Sequence, residues 1–131
     1  MIKKQVGRRD ALDRAGECFS RYARYGFVQR EGDPFVLYES IRGSVRNLRE
    51  ASDMLAVADT LRLLAILGRR EAADAVRAVY FVGRGRRPRR NEISHRVRRF
   101  AADRYLDERT VYRRLSEAKH LLLKILDAPA N

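Results

Sequence analysis

The sequence predicts an all-α protein: a helical N-terminal half followed by a C-terminal helix-turn-helix. Three observations carry that expectation. Apolar residues recur at helical spacing along most of the chain. Breakers are scarce, with eight glycines and three prolines in 131 residues. No stretch alternates apolar and polar residues as a half-buried strand does. A chain of this length suits one domain, or one domain with an extension, and can bury a core without metal or disulfide staples.

Residues 1–9 are basic and read as a frayed end. From Asp10, Leu12, Ala15, Phe19, Tyr22 and Ala23 recur at helical spacing and predict a first helix over about 10–25. "REGDP", Arg30 to Pro34, is a break. Asp33 suits an N-cap and Pro34 the first helical turn. Phe35, Tyr38, Ile41, Val45 and Leu48 then form one stripe, and Met54, Val57, Leu61, Leu64 and Leu67 another. "REASD", Arg49 to Asp53, interrupts them weakly, so the interval reads as one long helix or two stacked ones. It is long enough for a helical hairpin or a dimer contact, although an ordinary core stripe explains it with less. Gly68 is a C-cap candidate. Residues 69–82 predict the next helix, with Ala72, Val76, Val79 and Tyr80 inward. "GRGRRPRR", Gly83 to Arg90, is a loop. Ile93, Val97, Phe100 and Ala101 mark a helix of about three turns within 91–104. "YLDERTVYRRLSEAKHLLLKIL", Tyr105 to Leu126, contains the last helix. The expected division is therefore 1–68, a helical region and a candidate for dimerisation, and 69–131, the helix-turn-helix.

Charge sharpens the contrast between the halves. The formal net charge is +12. Residues 1–68 hold 12 basic and 9 acidic side chains, and residues 69–131 hold 17 and 8. A charge of this size attracts polyanions and says nothing about fold. From Arg84 to Arg99, eight of 16 residues are arginine against the single acid Glu92. Counterion release would make phosphate contacts there favourable and salt-sensitive.

The last two helices have the form of a positioning helix and a recognition helix. Asp107 can accept from the backbone N–H of Arg109 or Thr110, and Glu108 in the first turn matches the helix dipole. On a wheel of about 100° per residue, Val111, Leu115, Ala118, Leu122 and Ile125 share one face. Arg109, Arg113, Ser116 and His120 lie opposite, with Glu117 and Lys124 beside them. N-terminal residues of a recognition helix reach base edges. Glu108, Arg109, Thr110 and Arg113 are therefore the expected base contacts: the arginines to guanine, Glu108 to a cytosine amine. Arg84, Arg86, Arg87, Arg89, Arg90, Arg96, Arg99, Tyr112 and Arg114 are the expected phosphate contacts. Against this stands the plain reading that exposed arginines on a helix are usually solvated. Leu121, Leu123 and Leu126 fall off the main stripe, so the helix end should also be buried, against the N-terminal helices or a second chain.

"NEISHRVRRFAADRYLDERTVYRRLSEAKHLLLKIL" resembles the C-terminal helix-turn-helix of phage late-gene transcription regulators of the ArpU and RinA type, itself similar to region four of sigma factors. "AVRAVYFVGR", Ala75 to Arg84, fits the helix that precedes the motif. "ERTVYRRLSEA", Glu108 to Ala118, is the most specific part. The resemblance spans roughly Asp53 to Leu126. Asp107 stands where the family often has Ser, and the arginine loop is richer than usual. The resemblance implies a cytoplasmic activator of packaging, structural or lysis genes, working on double-stranded DNA with RNA polymerase.

Other classes have little support. His95 and His120 have no metal-ligand partner at i+3 or i+4, and no Walker loop or nucleophile elbow occurs. No enzyme, metal or cofactor is expected. Cys18, the only cysteine, cannot form an intrachain disulfide and reads as a buried apolar residue in a reducing compartment. No run approaches a membrane span, and the N-terminus lacks a signal-peptide core. The expectation is a soluble, cytoplasmic homodimer that regulates transcription. Two alternatives remain: a DNA-packaging component similar to a small terminase subunit, and a basic helical adaptor for RNA or an acidic protein.

Overall fold

The computed structural model describes residues 2–82 and 88–128, with side chains from residue 10 onward. Among these residues there are six α-helices and a short 3-10 turn, and no strand. The helices are α1 (Ile2–Arg24), α2 (Pro34–Ser44), α3 (Leu48–Ile66), α4 (Arg70–Tyr80), α5 (Arg90–Arg104) and α6 (Glu108–Leu126), with the 3-10 turn at Phe27–Arg30. No described helix is long and apolar enough to cross a membrane.

Two expectations about helix limits are corrected. Residues 2–9 are not a frayed lead but the first turns of α1. The long interval is two helices, and its break falls at Val45–Asn47 rather than at Arg49–Asp53. Asn47 causes it: its side-chain oxygen accepts from the backbone N–H of Arg49 at 2.9 Å and of Glu50 at 3.1 Å. Those are orphan donors of a helix start, and Asn satisfies them well. Asp53, inside the expected break, is instead buried in α3, where Arg14 of α1 reaches its carboxylate at 3.4 Å. Asp33 caps α2 as expected, accepting from Phe35 N at 2.9 Å.

Gly68 joins α3 to α4 at φ 74°. Its N–H reaches Ala65 O at 3.2 Å, and the Arg69 N–H reaches Leu64 O at 2.7 Å. This is a Schellman closure, and the left-handed conformation is the reason for glycine. It is a chain reversal within one core, because α6 packs on α1 and α3 as well as on α4 and α5. Val111, Leu115, Ala118 and Leu122 are all buried along it. Leu121, Leu123 and Leu126 are partly buried against the same core, so part of the apolar excess of this helix is covered within the chain.

Aromatic rings fasten α1 to α4. Phe19 meets Tyr80 with centroids 5.7 Å apart, and Tyr22 meets Phe27 and Phe81 at 5.6 Å each. Tyr22 donates its hydroxyl to Glu31 at 3.0 Å, and Glu31 is in turn held by Arg77 at 2.8 Å. Burial first, then the Glu31 carboxylate, raises the Tyr22 pKa, so the phenol stays a donor. Three residues of the expected stripes lie outside this core: Phe35, Leu48 and Leu67 are all exposed.

Tyr80 fits because Gly16 has no side chain. A Cβ there would stand 3.1 Å from the Tyr80 hydroxyl oxygen and 3.3 Å from Cε1. Gly16→Val is expected to lower stability by about 1–3 kcal/mol, the range for overpacking a tight contact, read as a lower midpoint in urea. Cys18 gives a second test. Burial, with the Asp53 carboxylate adding to it, pushes the Cys18 thiol up to about 11 from 9.0. The unfolded chain therefore loses this proton before the folded one does. The Cys18 contribution to stability is complete below about pH 9 and is lost as pH rises toward about 11. Cys18→Ala should flatten that part of the stability profile. A thiol reagent at pH 8 should label the native protein no faster than it unfolds.

Candidate nucleic-acid interface

The α5–α6 junction is built by backbone geometry first. The Leu106 N–H reaches Ala101 O at 2.8 Å and the Tyr105 N–H reaches Ala102 O at 3.3 Å, so α5 also closes in a Schellman pattern. Here the left-handed residue is Tyr105, at φ 57° and ψ 42°. It is the only described non-glycine residue with positive φ, and it is 97% exposed. An aromatic side chain in that region is unusual and strained. Leu106 is half-buried against the core. Asp107 then starts α6, its carboxylate accepting from Arg109 N at 3.1 Å while its carbonyl accepts from Thr110 N at 3.0 Å. Glu108 occupies the first turn.

The anchored face of α6 determines what the other face presents. Val111 and Leu115 are buried, and Glu108, Arg109, Tyr112 and Arg113 are exposed, with Thr110 half-buried. Arg109 and Arg113 form no ion pair with a described carboxylate. On α5 the same is true of Arg98 and Arg99, both exposed. His95 of α5 and His120 of α6 are exposed as well. The His120 Nδ1 lies 2.7 Å from Ser116 O, a contact within its own helix.

Other members of the expected phosphate set are placed differently. Arg96 is half-buried, donating to the Val79 carbonyl at 2.7 Å and pairing with Glu92 at 3.3 Å. It donates to a carbonyl in the last turn of α4 and so ties α5 to it. Arg114 is half-buried between Glu71 at 3.4 Å and Glu117 at 3.7 Å, and Glu117 also meets Arg69 at 3.2 Å. That network joins the start of α4 to α6. Arg89 and Arg90 are exposed, and Arg90 borders a recess lined by Asp13 and Glu17 of α1. Arg84, Arg86 and Arg87 lie outside the described residues. Glu92 has a structural role, accepting from the Arg89 N–H at 3.2 Å at the start of α5.

Arg98 is missing from the sequence-based set, although the helical wheel contains the signal. Arg98 lies about 140° from the inward Ile93, whereas Arg96 lies only about 40° from Phe100. Tyr105 carried no signal, since nothing in a sequence marks a non-glycine residue as left-handed. No group of three His, Cys, Asp or Glu among the described residues could hold a metal ion. No protein family matches the chain, and no curated protein or solved structure matches it.

Two substitutions test the geometry of the junction. Asp107→Ala should cost about 1 kcal/mol through the lost cap. Tyr105→Gly should raise stability by up to about 1 kcal/mol by relieving the left-handed strain, less the entropy glycine adds to the unfolded chain. Paired thermal melts of the two variants read both effects.

Proposed function

We propose that this protein binds double-stranded DNA in a sequence-specific manner and regulates transcription, with α5 as the positioning helix and α6 as the recognition helix. One observation carries the reading. Arg109 and Arg113 stand exposed, without a carboxylate partner among the described residues, on the first turns of a helix whose opposite face is fixed in the core. Arg69, Arg77, Arg104 and Arg114 are drawn into ion pairs, whereas Arg109 and Arg113 are not and share the first turns of one buried helix. A guanidinium held by a rigid helix and left without a partner is ready for the bidentate acceptor edge of guanine. Glu108 and Thr110 complete the base-reading turn.

Around that turn, Arg98, Arg99, Arg89, Arg90 and Tyr112 supply the phosphate contacts, joined by Arg84, Arg86 and Arg87 of the arginine-rich loop. Arg96 and Arg114 support the interface by holding α5 and α6 in place. The resemblance of Glu108–Ala118 to phage late-gene regulators supports a role in switching packaging, structural or lysis genes in the cytoplasm, with RNA polymerase as a further partner.

Base and phosphate roles separate experimentally. Arg113→Ala should cost about 1–3 kcal/mol on the protein's own site and relax preference at one base pair. Sites selected from random duplexes supply the probe. Equal loss on selected and random DNA would make Arg113 a phosphate contact. Arg98→Ala should weaken binding to all duplexes and reduce the salt slope by about one. Arg96→Ala should instead lower the melting temperature through the lost contacts to Val79 and Glu92.

A further inference from the structure

Phe35 at the start of α2, Ile66 at the end of α3 and Leu67 just after it are 73%, 67% and 63% exposed. Ile66 borders a groove of about 320 Å³ with Leu63 of α3 and Ile125 of α6. Asp59 and Arg62 form its polar edge. Tyr38, one turn from Phe35 on α2, donates its hydroxyl to Asp59 at 2.7 Å and so joins α2 to the same edge. The exposed Ile66 with the half-buried Leu63 and Ile125 forms an apolar patch of the kind that marks an interaction surface.

We propose that this face, formed by α2, the end of α3 and the end of α6, is where two copies of the chain pair about a two-fold axis. Charge selects a second copy as the occupant. The chain carries a net +12, so most approaches of one copy to another are repulsive. This groove has one acid and one base a single turn apart. A two-fold axis brings Asp59 of one copy to Arg62 of the other, and the reverse, as an isologous contact requires. An acidic partner would find far stronger attraction on the arginines of α5 and α6. Reach agrees with the choice. Val111 to Ile125 is about 21 Å along the helix, so paired copies can hold their reading turns up to about 42 Å apart. That covers the separation of about 34–36 Å between half-sites one DNA turn apart. Only this spacing argument rests on the DNA-binding reading.

Sedimentation of the full chain without DNA tests the pairing independently of any DNA activity. The wild type should reach twice the monomer mass in the micromolar range. Ile66→Glu and Leu67→Glu should each weaken pairing at least about tenfold while circular dichroism stays unchanged. Arg62→Asp alone should also weaken it, and Asp59→Arg combined with Arg62→Asp should restore it, because the exchanged charges again face their opposites. A wild type that stays monomeric at 100 μM (roughly the upper working range, well above dimer constants typical of stable interfaces) overturns the proposal. So does a ring-sized oligomer, and so does a double charge exchange that fails to recover the dimer.

Discussion

Everything in this protein hangs on the burial of α6. Its stripe of Val111, Leu115, Ala118 and Leu122 is enclosed by α1, α3, α4 and α5. A single such side chain contributes about 1.5–3 kcal/mol when fully buried, so the helix is held along most of its 19 residues. That burial fixes its rotation. With the rotation fixed, the exposed arc can only be the one that carries Arg109 and Arg113. The placement of these two arginines follows from the core without further contacts.

The polar contacts around α6 refine this placement. Arg114, Glu117, Arg69 and Glu71 connect its middle to the start of α4, and Arg96 and Arg104 tie α5 to α4 through Val79 and Asp74. The ion pairs among them that face solvent are individually weak. Their main effect here is to sort the arginines. Arg69, Arg96, Arg104 and Arg114 tie one helix to another, whereas Arg98, Arg99, Arg109 and Arg113 make no such tie among the described residues. The strained turn at Tyr105 lies between the two helices, so any change in its backbone would alter the angle at which α6 leaves α5.

The same sorting explains why the site was only partly legible. The caps Asp33, Asp107 and Gly68 were readable because their bonds are local, closing within a few residues. The exposure of Arg109 and Arg113 was readable because it follows from the period of a single helix. The period of α5 also turns Arg96 inward, but its partner Val79, 17 positions away, and the Glu71 partner of Arg114, 43 positions away, are not local and could not be read. The break at Asn47 is hidden for a different reason: an Asn cap followed by Glu50 is a weak signal next to a continuous apolar period.

The sequence by itself determined the helical class, the approximate places of five of the six helices and the concentration of arginine near the last two. Each depends on periodicity, capping or composition, which act over a few residues. Tertiary structure decided that both halves share one core, that α6 lies at its centre, and that Phe35, Ile66 and Leu67 face outward while Asp53 faces in. A helix's own period says which residues share a face. Only the surrounding helices say which face is covered, because burial is a property of neighbours brought together from distant parts of the chain.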